Sequence, residues 1–488
     1  MKYTTSLADQ YIALNSGAVN PRYLPYYHLC APVGWINDPN GFCFFKGRYH
    51  LFCQFHPYDS VWGPMHWAHW SSDNLLHWTM LPVALAPDTP ADSYGCFSGT
   101  IISKNGLMYL AYTGAVLTGG DMRQQQCMAL SWDGIHFKKH PANPIITPDM
   151  LPPNHSSIDF RDPRLIKTPD GYSMLVASRK GNDGAVVSFS SKDLENWTFE
   201  NTLFEQPCSM IECPDLYELD GCKVLCFCIE KISPDGLRFP NRFPVVYVVM
   251  DDMNARSFPE AIDHGLDFYA PQSLLCPDGQ RVMIGWMRTW GIEEPTHYLG
   301  HGWAGTLTLP RELHMKNGRL LQKPLCELKK LRAVHRQFDA MPVHNSRVRL
   351  VESGADAAEL TVALSSEDGS PVQVRLMESE DEYFSVIYAA HDRTLTVDRS
   401  RCGYQMRENN LDEAKPWTTA SVPGENGCIQ LHIFIDRCSV EIFVDDGALV
   451  MSSLCFPKSN NYGISICCEG RAFIRHAELW HLSATNTQ

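Results

Sequence analysis

The stretches SSDNLLHW (71–78), SWDGIHF (131–137) and SSKDLENW (190–197) repeat one pattern along the chain. In each, a strand-like run ends in a small residue, an Asp-centred turn follows, and an aromatic residue anchors the next strand. The aspartates Asp73, Asp133 and Asp193 are separated by 60 residues each time. A constant period of this length, filled with short strands and turns, is typical of β-propeller blades.

Residues 24–325 have room for five such units, so the sequence predicts an all-β fold: a five-bladed β-propeller followed by a C-terminal β-sandwich. A sandwich array or an irregular β fold is the alternative that the repeat alone leaves open. Leu325, Leu328 and Leu331 recur every three residues and predict a helix over 326–338. The predicted divisions are an N-terminal extension (1–23), the propeller (24–325), a linker helix (326–340) and the sandwich (341–488).

The bulk composition favours a small, uncharged ligand. The chain has 488 residues and a formal net charge of -14, so it has no basic surplus for a nucleic acid or an anionic membrane. It contains no apolar run of the roughly 18 residues that a membrane span needs and no visible signal segment, so we expect a cytoplasmic protein. The 18 cysteines are expected to be reduced thiols without a metal.

Three carboxylates stand just before prolines, where a strand is expected to give way to a turn. Asp38 and Asp162 directly precede a proline, and Glu212 is one residue removed from Pro214. Proline fixes φ and keeps the residue before it extended, which presents the carboxylate rigidly. Because the innermost strands of a propeller line its central channel, carboxylates repeated in successive blades are expected to converge on one pocket.

Such a cluster suits the cleavage of a glycosidic bond. One carboxyl group must be ionised to attack the anomeric carbon, and another must stay protonated to donate to the leaving oxygen. Close packing of the carboxyl groups can produce both states, because neighbouring negative charges raise the pKa of one group and keep it protonated while another stays ionised. Apolar faces and hydrogen-bonding groups that suit a sugar stand close by in the sequence, namely Trp35, Trp62, Phe97, Asn37, Gln54 and Ser98.

The ordered segments WINDPNG (35–41), FSGT (97–100), RDP (161–163) and ECP (212–214) resemble the β-fructosidases of glycoside hydrolase family 32. Further blocks are similar to the same family over nearly the whole chain, among them HLFCQ (50–54), WGPMHW (62–67), DFYAPQ (267–272), WAGTLTLPRE (303–312) and IDRCSVEIF (435–443). RDP and ECP are individually weak motifs, whereas the ordered set is highly specific.

The resemblance implies a retaining enzyme that releases terminal β-D-fructofuranosyl units from sucrose, sucrose 6-phosphate or short fructooligosaccharides, with no cofactor and no metal. It implies that Asp38 is the nucleophile, Glu212 the acid/base and Asp162 a stabiliser of the transition state. It places Trp303 at the rim of the sugar pocket, and a separation of about 5–5.5 Å is expected between Asp38 and Glu212. The implied sugar-binding set is Asn37, Gln54, Trp62, Phe97, Ser98, Arg161 and Trp303.

Other functions share parts of this pattern. A fructosyltransferase would use the same covalent intermediate with a sugar as acceptor, and the sequence does not separate the two. Five-bladed enzymes that act on arabinan or xylan also use three channel carboxylates, but the complete WINDPNG block argues against them. A non-catalytic fructan-binding protein would be expected to lack Asp38 or Glu212, and both are present. The sequence does not decide whether the chain forms a homo-oligomer.

Overall fold

The computed structural model describes residues 3–233, 237–239, 241–251, 254–255, 257–408, 414–423 and 427–485. Within these ranges, five small sheets surround one axis and a large C-terminal sheet follows them. This confirms the prediction of an all-β chain with a five-bladed propeller and a sandwich-like C-terminal domain. Across the described part of the chain, helices are too short and too polar to cross a bilayer.

Each blade is an antiparallel sheet whose first strand lies next to the axis. Blade 1 contains β1 (Gly34–Phe45), β2 (Arg48–His56), β3 (His66–Ser72) and β4 (Trp78–Leu85); blade 2 contains β5 (Gly95–Lys104), β6 (Leu107–Thr118), β7 (Asp121–Ser131) and β8 (Lys138–Lys139); blade 3 contains β9 (His155–Thr168), β10 (Gly171–Lys180), β11 (Asp183–Ser191) and β12 (Thr198–Gln206); blade 4 contains β13 (Met210–Leu219), β14 (Cys222–Glu230), β15 (Val245–Asp251), β16 (Asn254–Ala255) and β17 (Glu260–Ala261); blade 5 contains β18 (Tyr269–Leu275), β19 (Arg281–Trp286), β22 (Arg311–Lys316) and β23 (Arg319–Pro324).

The ring closes between blade 5 and blade 1. Strand β21 (Trp303–Ala304) leaves the blade 5 connection and pairs in parallel with the start of β1. The chain before β1 runs beside the blade 5 connection, because the backbone N–H of Leu307 donates a hydrogen bond to the backbone oxygen of Leu29. The segment before blade 1 contains α1 (Thr5–Asn15), and Asp9 on this helix accepts a hydrogen bond from the backbone N–H of Val83 in β4. The N-terminal extension therefore packs against blade 1.

The repeated turn joins the third and fourth strands of blades 1 to 3, with one correction to the sequence alignment. In blade 2, Asp133 accepts hydrogen bonds from the backbone N–H groups two and three residues further on, and Asp193 does the same in blade 3. In blade 1 this acceptor is Asn74 and not Asp73. Alignment on the Asp residues was wrong by one position, because an Asn side-chain oxygen caps the turn equally well.

The C-terminal domain is a curled sheet folded into two layers. Its strands are β24 (Arg332–Phe338), β25 (Met341–Val351), β26 (Ala358–Ser366), β27 (Val372–Glu378), β28 (Phe384–Ala389), β29 (Thr394–Asp398), β31 (Trp417–Ser421), β32 (Cys428–Asp436), β33 (Ser439–Val444), β34 (Leu449–Leu454) and β35 (Gly463–Leu482). The 20-residue β35 pairs first with β25 and β27, then with β24 and β26, and so connects the layers. The short β20 (Ile292–Glu293) and β30 (Arg407–Glu408) pair separately across the two domains.

The predicted linker helix over 326–340 was wrong in extent. Only Cys326–Leu331 is helical, as a 3-10 helix, and the chain then enters β24. Leu325, Leu328 and Leu331 are all buried. Their three-residue spacing matches the 3.0-residue turn of a 3-10 helix and not the 3.6-residue turn of an α-helix. The strand that follows, β24, is mostly exposed. Its sequence therefore lacks the alternation of apolar and polar residues that would have predicted a strand. Four further short helices are Ser16–Ala18, Pro21–Tyr23, Pro148–Met150 and Asp445–Gly447 (all 3-10), and α2 spans Pro295–Tyr298.

A buried ionic network joins the propeller to the C-terminal domain. Arg311 is 0 % exposed and binds Glu441 at 2.6 Å and Asp263 at 2.9 Å. His28, before blade 1, contacts Asp436 at 2.9 Å and Glu441 at 3.0 Å. Removing one member of a buried pair leaves an uncompensated charge, which costs about 3–5 kcal/mol. The network therefore fixes the contact between the domains.

His28 is expected to make the free energy of unfolding pH-dependent. Burial alone would lower the pKa of His28, but its hydrogen bonds to Asp436 and Glu441 outweigh burial and raise the pKa from 6.5 to about 9. The stabilisation is fully present below the unfolded value and is lost as pH rises through about 9. The shift corresponds to about 3 kcal/mol. Urea unfolding of wild type and His28→Gln at pH 6 and pH 10 measures it.

We expect the stability difference between wild type and His28→Gln to shrink at pH 10. His136→Gln is the matched control, because the His136 side chain is 77 % exposed where it contacts Asp133. An equal stability difference between wild type and His28→Gln at both pH values would contradict a protonated His28.

Candidate active site

The innermost strand of every blade carries a two-residue bulge, in which two residues stand opposite one residue of the second strand. The five bulges, here called the axial bulges, are 37–38, 97–98, 162–163, 213–214 and 270–271. A bulge interrupts the ladder, bends the strand and re-aims side chains. The three carboxylates proposed from sequence lie in or next to these bulges, which brings them to one region of the channel.

The sequence explains the axial bulges of blades 3, 4 and 5. Asp162, Cys213 and Ala270 each adopt positive φ (63°, 50° and 47°), and each is followed by proline. Proline has no N–H to donate, so it fits a position where the ladder is interrupted. Positive φ is uncommon for residues other than glycine and often marks functional sites. Asp-Pro, Cys-Pro and Ala-Pro are thus three versions of one structural element.

Asp38 is 5 % exposed and is held by three side-chain donors. Ser98 donates to its Oδ2 at 2.6 Å, Gln54 donates to Oδ2 at 3.1 Å, and Asn37 donates to Oδ1 at 3.1 Å. Trp35 in turn donates from Nε1 to the Asn37 oxygen at 2.8 Å, which orients the amide. Burial raises the pKa of Asp38, while the Ser98 and Asn37 hydrogen bonds oppose that rise. These donors favour a fixed, ionised carboxylate.

Asp162 and Asp38 have Cys213 as a common neighbour. The Cys213 backbone N–H donates to Asp162 Oδ2 at 3.0 Å. The Cys213 Sγ lies 3.6 Å from Asp162 Oδ2 and 3.7 Å from Asp38 Oδ2. Burial and the neighbouring Glu212 raise the pKa of Asp162 to about 7, with Arg161 opposing the rise. The carboxylate cluster therefore keeps a proton close to neutral pH.

Glu212 is oriented through both of its oxygens. Arg161 donates from Nε to Glu212 Oε1 at 2.9 Å, and the Tyr269 hydroxyl donates to Oε2. Arg161, Glu212 and Tyr269 each immediately precede the axial bulge of blades 3, 4 and 5. Equivalent positions of three successive blades are thus hydrogen-bonded to one another. Arg161 also contacts Glu230 at 3.4 Å and Asp159 at 3.6 Å, so its charge is divided among three carboxylates.

The structure places most of the sequence-predicted sugar-binding residues around this cluster. Gln54 and Ser98 contact Asp38 directly, as described above. Trp62 is half-buried, and its ring packs against Phe97 with centroids 5.8 Å apart. Arg161 contacts Glu212 and so sits closer to the predicted acid than to Asp38.

The placement of Trp303 at the pocket rim was wrong. Trp303 is 0 % exposed and belongs to the hydrophobic core around Trp35 and Trp286. It lies in β21, whose pairing with β1 closes the ring, so its indole is enclosed between blades. Asn37 is also 0 % exposed and acts on Asp38 through a hydrogen bond.

Tyr269 and Cys213 are site residues that the motif analysis assigned no role. The sequence nevertheless contains a pattern that could have predicted both residues as part of the site. The segment Tyr269-Ala-Pro271 has the same spacing as Glu212-Cys-Pro214, and in both the residue before the bulge faces the cluster. Comparing the five axial strands with one another would have revealed the equivalence.

A cleft of about 240 Å³ lies beside the carboxylate cluster. We call it the rim cleft; its lining includes Trp35, Ser60, Trp62, Arg288, Trp290 and His297. Trp35 connects it to Asp38 through Asn37. On the other wall, the Trp290 ring lies 6.4 Å, centroid to centroid, from the ring of Tyr269, and the Tyr269 hydroxyl donates a hydrogen bond to Glu212. A larger cleft of about 760 Å³ lies where blades 4 and 5 meet the C-terminal domain, and none of the three carboxylates lines it. We therefore assign the chemistry to the axial site.

Comparison with known families identifies the class of protein that this fold and site define. The model of the glycosyl hydrolases family 32 N-terminal domain matches residues 28–324, and that of the family 32 C-terminal domain matches residues 327–481. The chain belongs to glycoside hydrolase family 32.

Individual relatives narrow the class further. A sucrose-6-phosphate hydrolase of Escherichia coli is 36% identical over 479 residues, which cover 94% of this chain and 95% of the relative. A raffinose invertase of Escherichia coli is 34% identical over 99% of this chain and 100% of the relative. A GH32 β-fructofuranosidase of Bombyx mori superposes with a TM-score of 0.86 at 31% identity, covering 99% of this chain and 98% of that structure. The chain is accordingly an enzyme of the β-fructofuranosidase class, which hydrolyses fructosyl bonds.

Proposed function

We propose that the chain releases the terminal β-D-fructofuranosyl unit from sucrose, sucrose 6-phosphate or short fructooligosaccharides by double displacement. The observation that carries the proposal is the pairing of two differently held carboxyl groups. Asp38 accepts hydrogen bonds from three neutral donors, whereas Glu212 is held by the Arg161 guanidinium and the Tyr269 hydroxyl. This arrangement supports a nucleophile and an acid that act on opposite ends of one glycosidic bond.

In the first step, Asp38 attacks the anomeric carbon of the fructosyl unit and the glycosidic C–O bond breaks. Glu212 gives a proton to the departing oxygen, so the leaving group departs as a neutral alcohol. Asp162 adds negative charge and hydrogen-bonds the sugar hydroxyls while positive charge develops on the ring. The product of this step is a fructosyl ester of Asp38 and a free glycosyl unit.

In the second step, the same groups act in reverse. Glu212, now ionised, takes a proton from water, and the water oxygen attacks the anomeric carbon. The ester bond to Asp38 breaks, and fructose leaves with its original configuration. Ser98, Gln54 and Asn37 stabilise the Asp38 carboxylate as it is released.

The purified chain tests the proposal when it is incubated with sucrose, sucrose 6-phosphate and 1-kestose in parallel and fructose release is measured. Turnover of at least one of them at 1–1000 s⁻¹, the ordinary range for enzymes, is the expected result. Failure to release fructose from all three would overturn the proposal.

The pH dependence of kcat/KM on sucrose is expected to show a fall below about pH 7. Burial and the neighbouring Glu212 raise the pKa of Asp162 to about 7. Asp162 must be ionised to oppose the positive charge that develops on the sugar ring, so activity is lost as pH falls through this value. Sucrose does not titrate in this range, so the profile reports the enzyme. A rate that stays level from about pH 5 to about pH 8 would contradict this role of Asp162.

We further propose that the enzyme acts in the cytoplasm on imported sugar. All 18 cysteines are free thiols, and most are buried. Free thiols in this number fit a reducing compartment. Cell fractionation with activity recovered outside the cytoplasmic fraction would contradict this placement.

A further inference from the structure

Residues 263–267, which we call the interdomain segment, lead into β18, the innermost strand of blade 5. The backbone N–H groups of His264 and Asp267 donate hydrogen bonds to backbone oxygens of β34 at 2.8 Å and 3.1 Å. Leu266 packs into the hydrophobic core of the C-terminal domain. The interdomain segment is therefore bound by the C-terminal sheet, although in sequence it belongs to the propeller.

A buried ion pair holds the last residue of the interdomain segment. Asp267 is 0 % exposed, and its Oδ2 accepts hydrogen bonds from the Arg399 guanidinium and, at 2.8 Å, from the backbone N–H of Leu454. Arg399 directly follows β29 in the C-terminal domain, is buried, and also donates from Nη1 to the backbone oxygen of Leu454 at 2.9 Å. Burial raises the pKa of Asp267, and Arg399 opposes that rise. Arg399 thus favours a fixed, ionised Asp267.

Tyr269 stands two residues after Asp267, and its hydroxyl donates to Glu212 Oε2. Tyr269 is the first residue of β18, and the axial bulge at 270–271 interrupts the ladder directly after it. The position of Tyr269 therefore depends strongly on the chain that precedes it. Two residues of chain span at most about 7 Å, so a shift of Asp267 is transmitted to Tyr269.

We propose that Arg399, a residue of the C-terminal domain, is a positioning residue for the catalytic acid Glu212. By holding Asp267, it fixes the Tyr269 hydroxyl at the place from which it donates to Glu212. This inference rests on the proposed function, in which Glu212 protonates the leaving oxygen. The C-terminal domain then contributes to proton transfer as well as to stability.

The test compares kcat/KM on sucrose, whose leaving group needs a proton, with kcat/KM on p-nitrophenyl β-D-fructofuranoside, whose leaving group does not. Arg399→Met is expected to lower the ratio of the sucrose value to the nitrophenyl value by about tenfold, because a misplaced acid donates its proton poorly. A misfolded fraction lowers both values equally and leaves the ratio unchanged. An unchanged ratio in folded Arg399→Met would overturn the inference.

A double-mutant cycle tests the route through Tyr269. Tyr269→Phe removes the hydroxyl that donates to Glu212 and should itself lower the ratio. Once this hydroxyl is absent, Arg399→Met should change the ratio by less than about twofold, because residues that act as one unit are not additive. Independent, fully additive losses in the double variant would exclude Tyr269 as the link and overturn the inference.

Two control variants separate positioning from a general weakening of the protein. Arg401→Met makes the same change two residues further along the chain, at an exposed side chain, and should keep the wild-type ratio. His28→Gln weakens the contact between the domains away from Asp267, so it should lower stability and leave the ratio unchanged. A ratio lowered about tenfold in either control would overturn a specific role for Arg399.

The variant Asp267→Asn/Arg399→Met provides the second measurement if Arg399→Met does not fold. It leaves no buried charge without a partner, and the amide oxygen can still accept from the backbone N–H of Leu454, so a folded protein is expected. Its ratio should also be lowered, since the charged contact is absent, and a wild-type ratio would overturn the inference. Wild type that releases fructose from neither substrate would instead overturn the proposed function, and the inference with it.

Discussion

The Asp38→Asn variant is expected to lose kcat on sucrose by about 10⁴-fold or more, because an amide cannot form the fructosyl ester on which both steps depend. The amide is nearly isosteric with the carboxylate, and Ser98 and Gln54 can still contact it, so binding of sucrose should change much less than kcat. Steady-state kinetics of fructose release measure the loss, and calorimetric titration with sucrose measures binding.

Two controls make the Asp38→Asn result specific. Asp73→Asn makes the same chemical change on an exposed turn of blade 1, where Asp73 pairs with Arg48, and full activity is expected. Thermal unfolding of Asp38→Asn should show a folded protein, because the substitution removes a buried charge and leaves the packing unchanged. Residual activity within about tenfold of wild type would exclude Asp38 as the nucleophile.

The Glu212→Gln variant should lose about 10²–10⁴-fold in kcat on sucrose, the usual contribution of a general acid. The loss should be much smaller for p-nitrophenyl β-D-fructofuranoside, whose leaving group departs without protonation in the first step. Arg161 and Tyr269 remain in place to hold the amide, so the difference between the two substrates reports proton transfer and not misplacement.

Glu218→Gln provides the control for Glu212→Gln. It lies in the same strand, β13, with an exposed side chain, and it should behave as wild type on both substrates. Equal losses of Glu212→Gln on sucrose and on the nitrophenyl substrate would contradict an acid role for Glu212.

The fold was predictable because its signal is local and repeated. Turn chemistry that recurs about every 60 residues reveals the blades even where the capping residue changes, as it does at Asn74. The three carboxylates were predictable because each stands before a proline, but the expected strand end there was wrong: the proline lies in or next to a bulge inside the innermost strand, which continues beyond it. The 3-10 helix was misread because the three-residue spacing of its leucines was interpreted as the apolar face of a longer helix.

The pairing of side chains across blades was not predictable from one sequence. Whether Arg161 contacts Glu212 or Asp162 depends on the register of two separate bulges, and no local pattern encodes that register. Trp303 was wrongly predicted for the same reason. The sequence around it resembles a family block and suggested a place in the sugar pocket, but the pairing that closes the ring between blades 5 and 1 encloses its side chain. Tertiary packing determines both the partner of Arg161 and the burial of Trp303.

The stereochemistry of fructosyl transfer tests the central claim most directly. Sucrose is incubated with the enzyme and methanol, and the methyl fructofuranoside formed is examined by proton NMR, because this product does not mutarotate. Double displacement through Asp38 predicts the β-anomer, with the configuration of the substrate retained. Formation of the α-anomer would show a single displacement and would contradict a covalent intermediate on Asp38.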